Sequence, residues 1–210
     1  MKTEKVVVFD VDGTLFDTKQ GIIKALNEVL DSFEINEIKK EDEDNWIGPP
    51  VRDSFIKYAK MTDEQAEEAT KLYRRFYVEK YISDSILYEG MSEVLEKMKQ
   101  NKIHICIATM KTAAQMEHLL SVKNMTEIFE VIQTAALDGS KTKADMLREI
   151  KNIYGRKSKY YMIGDTIGDY NAAKIEKYIF IAALYGYGNF QKKQIKKIIN
   201  NPTNLLLLML

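Results

Sequence analysis

The chain has 210 residues, enough for one sizeable core with a small appended domain. Lys and Arg together number 31, as do Asp and Glu, so no overall basic field argues for a nucleic-acid polymer as partner. One cysteine, Cys106, excludes an intramolecular disulfide and a Cys-rich zinc site. The apolar stretches before Asp10 and at Leu205–Leu210 are too short for a signal peptide or a bilayer span, so a soluble, cytoplasmic protein without a membrane partner is expected.

The first predicted strand, Val6–Phe9, runs straight into Asp10, with Asp12, Gly13 and Thr14 following. Two carboxylates so close raise each other's pKa, and a chain that keeps such a pair points to a metal or to chemistry. Residues 19 to about 86 read as helical. Ile22, Ile23, Leu26, Val29, Leu30 and Phe33 recur at a helical period, and Thr62 and Gln65 stand at capping-box spacing. Ala66, Ala69, Tyr73, Phe76, Tyr77 and Tyr81 then line one side of the second helix, and no strand signal appears in this block. Between these helices, "WIGPPVRDSF" combines a rigid Gly48-Pro49-Pro50 turn with Arg52.

Strand and helix alternate in the remainder. Strands are predicted at Ile103–Ala108, Phe129–Ile132, Tyr160–Ile163 and Ile179–Leu184. Helices are predicted at Ser92–Gln100, Thr112–Val122, Thr142–Ile153 and Tyr170–Lys177, with another near Phe190–Ile199. Short apolar strands between helices imply β-α-β crossovers and a doubly wound, mostly parallel, Rossmann-like sheet. The helical block interrupts this pattern after the first strand. It reads as an inserted helical domain at 18–86, with the α/β core at 1–17 and 87–210 and linkers near Phe16–Lys19 and Ser83–Glu89. Cys106, in "IHICIAT", is expected to be a buried inert thiol, and Leu205–Leu210 a terminal segment packed on the domain. His104 and His118 lie on predicted core elements and read as structural, and neither has metal-ligand spacing.

Ligands of an open parallel sheet bind beyond the carboxyl ends of its strands. Those ends carry Asp10, Asp12, Gly13 and Thr14; then Thr109, Met110 and Lys111; then Lys141 and Lys143; then Asp165 and Asp169. Four carboxylates in one pocket need cations, and hard oxygen ligands favour Mg²⁺. A metal and a lysine would attract a phosphoryl group, whose oxygens Thr109 and nearby backbone N–H groups are able to meet. No G-x-x-x-x-G-K-[ST] segment is present, so this is not a P-loop site.

"DVDGTL", Thr109 at the end of the second strand, a lysine in the third loop and "GDTIGD" together resemble the four motifs of the haloacid dehalogenase superfamily of phosphatases. The insertion resembles that superfamily's helical cap. "ATMKT", "KADML" and "ALYGYGN" are similar to its phosphoglycolate phosphatase-like branch, although Met110 stands where that branch usually has Ser or Asn. The resemblance implies that Asp10 attacks phosphorus and that Asp12 protonates the leaving alcohol and later activates water. It implies Mg²⁺ held by the Asp10 carboxylate, the Asp12 carbonyl and Asp165, with Asp169 acting one layer out. Thr109 and a lysine would neutralise the phosphoryl oxygens. "KAD" favours Lys143, with Lys141 as the alternative. Gly13, Thr14, Met110 and Lys111 fall at the phosphate, and Gly48 and Arg52 overhang it from the cap, where Arg52 is placed to grip a carboxylate or second phosphate. Asp12 also argues against a dehalogenase, which has no alcohol to protonate. The expected activity is a Mg²⁺-dependent phosphatase on small phosphorylated metabolites, as a monomer or weak homodimer. A β-phosphoglucomutase-like phosphomutase and a non-catalytic regulatory or binding protein are the alternatives.

Overall fold

The computed structural model describes residues 4–188, 190 and 195–209. Its strands are β1 (Lys5–Phe9), β2 (Phe16–Asp17), β3 (Ile86–Leu87), β4 (His104–Thr112), β5 (Val131–Ala135), β6 (Lys159–Gly164), β7 (Ile179–Ala183) and β8 (Ile198–Ile199). Its α-helices are α1 (Lys19–Ser32), α2 (Glu43–Trp46), α3 (Val51–Ala59), α4 (Asp63–Phe76), α5 (Met91–Gln100), α6 (Ala113–Val122), α7 (Lys143–Tyr154), α8 (Ile167–Ile175) and α9 (Asn204–Met209).

Side chains alternate across a strand, so β1 buries Val6 and Val8 on one face and Val7 and Phe9 on the other. A strand apolar on both faces has to lie inside a sheet covered by helices on both sides. It does: six strands pair in the order β5-β4-β1-β6-β7-β8, every pairing parallel. Val7, Phe9, Ile105 and Ile107 pack with Met91 and Val94 of α5, Leu119 of α6, and Leu205 and Met209 of α9. Val6, Val8 and Cys106 pack with Met146, Leu147 and Ile150 of α7 and Ala173 of α8. The helices after β4 and β6, which flank β1, therefore cover opposite faces. That divergence opens a crevice beyond the carboxyl end of β1.

Helices α1 to α4 form the inserted cap. α1 buries Ile22, Ile23, Leu26, Val29 and Leu30, with Phe33 half-buried beyond its end, and α4 buries Ala66, Ala69 and Tyr73. The Thr62–Gln65 capping box forms at the start of α4. The stripe continues into a π-helical turn, Tyr77–Tyr81, where Tyr77 is fully buried. Phe76 and Tyr81 lie half-buried at its edge. Among the described residues no helix is long and apolar enough to cross a membrane.

The structure corrects several expected boundaries. The helical block does contain a strand at its end: β2 and β3 pair antiparallel, Phe16 with Leu87 and Asp17 with Ile86, so the two linkers form a ribbon. Two residues per strand are too few to show a period. β4 runs on through Thr109, Met110 and Lys111 to Thr112, because a register shift after Ala108 lets Thr112 pair with Ala135. β5 begins at Val131, and α8 begins three residues early, at Ile167. The helix expected near Phe190–Ile199 lies partly outside the described residues, at 191–194, and its end is the strand β8. Ile195, Ile198 and Ile199 have helical spacing, but the last two pair with Ala182 and Ala183 on the sheet edge. Cys106 is buried as expected, and burial pushes its thiol up to about 12.

The Leu-rich end packs on one side only. Leu205 is fully buried and Leu207 is 87% exposed. Leu205→Ala should therefore destabilise the fold by about 2–5 kcal/mol, and Leu207→Ala by no more than about 0.5 kcal/mol. Urea unfolding of the two variants checks the contrast.

Candidate active site

β1 and β6 run side by side in register, Phe9 opposite Ile163, and the Asp10 N–H donates to the Ile163 carbonyl at 2.9 Å. Asp10 and Asp165 thus leave adjacent strand ends together. Asp169 joins them from α8: Thr166 opens that helix with a capping box, its N–H and hydroxyl donating to Asp169 Oδ2 at 3.0 and 2.7 Å. A carboxylate oxygen from each of Asp10, Asp165 and Asp169 lies within 4.8 Å of the others, all three residues buried. Gly13 permits this closeness. Its φ is +72°, and a Cβ there would stand 2.2 Å from Asp165 Oδ2.

Among the described residues one cation reaches the cluster. Lys143, the first residue of α7, places Nζ 2.8 Å from Asp10 Oδ1 and 2.5 Å from Asp169 Oδ1. Lys141 points elsewhere, to Gln133 at 2.6 Å and Glu149 at 2.7 Å. Burial pushes the Asp10 pKa well above the usual carboxylate range. Lys143 pulls against that shift, while Asp169, Asp165 and Asp12 add to it. Burial and then Asp169 push Asp165 up to about 7. Burial opposes the Lys143 charge, but Asp10 and Asp169 more than offset it and hold its pKa above the usual lysine range. Fully ionised, three carboxylates against one ammonium would leave two negative charges uncompensated in a pocket of hard oxygen donors, which is why Asp10 and Asp165 resist ionisation without a further cation. A divalent cation such as Mg²⁺ fits that charge and that donor set.

Asp12 faces the other way. Its Oδ1 meets Lys111 Nζ at 2.8 Å and accepts from the Thr18 hydroxyl. Lys111 is buried, donates to the Tyr77 hydroxyl at 3.1 Å, and lies 4.5 Å from that ring's centre. Burial works against its charge, but Asp12 and then Tyr77 raise its pKa above the usual range. Asp12 borders a cavity of about 490 Å³ between the sheet edge and the cap, lined also by Trp46, Gly48, Tyr73 and Met110.

The remaining expected positions divide. Thr109 is fully buried at this edge, and its hydroxyl oxygen accepts from the Lys111 N–H at 3.2 Å. Thr14 is buried and donates to Asp165 Oδ1 at 3.3 Å, so its hydroxyl is turned to the acidic cluster. The Met110 side chain is 39% exposed on the cavity wall. Gly48, at φ +103°, overhangs the fourth motif: a Cβ there would stand 3.6 Å from Thr166 Cγ2. Arg52 lines the cavity, but its guanidinium is bound within the cap to Asp63 at 2.5 Å and Glu67 at 3.7 Å, so it is not the free grip expected. His104 pairs with Glu130 at 2.7 Å; His118, expected on a core element, is instead exposed, because α6 turns Met116, Leu119 and Leu120 to the core; neither histidine belongs to the cluster. Two contacts of the site go beyond what the motifs imply. One is the Lys111–Asp12 pair. The other is the "GYG" loop after β7, where the Tyr187 and Gly188 N–H groups donate to Asp165 Oδ2 at 2.8 and 3.3 Å. Glycines flanking an aromatic just after a strand were the available signal for that loop.

A family model described as haloacid dehalogenase-like hydrolase matches residues 7–183. The chain belongs to this family. The crystal structure of a candidate phosphatase from Clostridium difficile is 32% identical to it, superposes with a TM-score of 0.87, and is covered completely, as is this chain. A phosphoglycolate phosphatase from Aquifex aeolicus is 25% identical over 98% of this chain and 96% of its own length. Tyrosine-protein kinase PtkA of Mycobacterium tuberculosis is 26% identical over 89% of this chain, which spans only 64% of that longer protein. In this member of the hydrolase family, the acidic cluster sits at the crevice that the sheet topology creates.

Removing the cation should expose how the cluster is balanced. In the presence of a chelator, Lys143→Met leaves three buried carboxylates unopposed and should destabilise the fold by about 3–5 kcal/mol. Lys141→Met removes only a surface pair and should cost at most about 1 kcal/mol. Urea unfolding in EDTA measures both, and equal losses would contradict the assignment of Lys143 to the cluster.

Proposed function

We propose that the chain is a Mg²⁺-dependent phosphatase that hydrolyses small phosphomonoesters through an aspartyl-phosphate on Asp10. Family membership and the phosphatases among its relatives support the reaction class. The observation that carries the mechanism is the division between the two carboxylates of the first motif. Asp10 lies in the buried cluster with Lys143, Asp165 and Asp169, whereas Asp12, two residues on, borders the cavity. A phosphoryl group seated at the cluster would present its leaving oxygen toward Asp12.

In this reading an Asp10 carboxylate oxygen forms a bond to phosphorus while the bond to the leaving alcohol breaks. Asp12 delivers a proton to that alcohol oxygen. It then takes a proton from the water that attacks the phosphoenzyme, releasing inorganic phosphate and regenerating Asp10. Lys143 and the Thr109 hydroxyl neutralise and hold the transferring oxygens. The carboxylates of Asp10 and Asp165 and the Asp12 backbone carbonyl would hold Mg²⁺, with Asp169 orienting the cluster from behind through Lys143. When bound, the ion supplies positive charge to the phosphoryl oxygens. Arg52, bound to Asp63 and Glu67, is not free to re-engage a sugar bisphosphate. The kinase name stays with the longer mycobacterial relative.

The test separates the two carboxylates by leaving group. Asp12→Ala, followed in single-turnover phosphorylation, should lose about 10²–10⁴-fold more rate on an alkyl phosphate than on p-nitrophenyl phosphate, whose leaving group needs little protonation. Excess EDTA should abolish turnover on both. Equal losses on the two substrates would reduce Asp12 to a structural ligand, and full activity in EDTA would remove the metal.

A further inference from the structure

We propose that Arg74, at the end of α4, selects phosphomonoesters whose leaving alcohol carries a second anionic group; this rests on the phosphatase reading above. The cavity that Asp12 borders is lined by neither Asp10, Asp165 nor Asp169, so it lies on the leaving-group side of the site. Its volume, about 490 Å³, accommodates an alcohol of several carbons. Trp46 and Met110 give it apolar wall for a carbon skeleton.

Three cations line it: Arg52, Lys111 and Arg74. Arg52 is neutralised by Asp63 and Glu67, and Lys111 by Asp12. Among the described residues no carboxylate lies within ion-pair distance of Arg74. Among the described residues its guanidinium makes one hydrogen bond, a long contact from Nη2 to the Leu137 carbonyl at 3.5 Å. Of the lining carboxylates, Asp12 and Glu67 are already engaged. Asp138 is exposed and accepts from the Ser140 N–H and hydroxyl, and Asp53 is exposed in the first turn of α3. Arg74 is thus the cavity's uncommitted guanidinium. A planar fork of donors with no anionic partner among the described residues suits a carboxylate or a second phosphate on the substrate.

The experiment uses the full chain with Mg²⁺ and two substrate pairs matched in carbon number. These are phosphoglycolate against ethyl phosphate, and propane-1,3-diol bisphosphate against propyl phosphate. The wild type should prefer the anionic member of at least one pair by kcat/KM, and the pair that responds tells carboxylate from phosphate. Arg74→Ala and Arg74→Gln should lower that preference on the order of 10–100-fold, mainly through KM, as loss of a charged hydrogen bond does. Arg74→Lys should restore part of it. Arg75→Ala, at the exposed neighbouring position outside the cavity, should keep the wild-type preference. No preference in the wild type, or an Arg74→Ala loss equal on both members of each pair, would overturn the proposal and leave Arg74 as a latch to Leu137. A wild type that hydrolyses neither these four substrates nor p-nitrophenyl phosphate would instead overturn the phosphatase reading itself, and this inference with it.

Discussion

Three carboxylates buried within 4.8 Å of one another are the constraint around which this molecule is arranged. Such a cluster is unfavourable in a low-dielectric interior unless cations meet it. Among the described residues Lys143 is the cation that does so, and the geometry that brings it there is local. Thr142 and Asp145 close a capping box that fixes the start of α7, and Lys143 is the first residue inside it. The same device at Thr166–Asp169 fixes α8 and turns Asp169 toward Lys143. The sheet then aligns both helix starts with the end of β1. One lysine does not balance three carboxylates, and the remaining negative charge is what suits the site to a divalent cation.

The cap is tied to the same centre by two routes. Lys111 joins Asp12 on the core side to Tyr77 in the cap. Tyr187, whose N–H holds Asp165, places its hydroxyl where the N–H groups of Thr18 and Lys19 donate to it at 2.6 and 2.9 Å, and it donates to Asp17. The loop that orients Asp165 therefore also anchors the entry to α1. The antiparallel ribbon of β2 and β3 carries the chain out to the cap and back. Movement of the cap relative to the core would be felt at both Asp12 and Asp165.

The sheet was legible in the sequence because each central strand is a short apolar run ended by polar residues. Most of the acidic cluster was legible for the same reason: Asp10 and Asp165 sit directly at such ends. Asp169 is read there too, in the same motif; what stays hidden is that it lies inside α8, because Gly168 interrupts the helical signal after Thr166. The choice between Lys141 and Lys143 needed coordinates, since the turn into α7 sends two lysines two residues apart to different partners. The fate of Arg52 was hidden because its carboxylates, Asp63 and Glu67, belong to the next helix, across a turn whose path the sequence does not specify. Lys111 escaped notice as a partner of Asp12 because β4 continues past its expected end. That extension depends on pairing with β5 rather than on any local signal.

The central claim is that the buried cluster exists to make Asp10 a nucleophile. Acid-quenching the enzyme within a single turnover of a ³²P-labelled phosphomonoester, then mapping the label by peptide mass spectrometry, tests it most directly. The account predicts an acid-stable, hydroxylamine-labile acyl phosphate on the peptide carrying Asp10, and none in Asp10→Asn. Label on a serine or threonine, or steady turnover by Asp10→Asn, would contradict it.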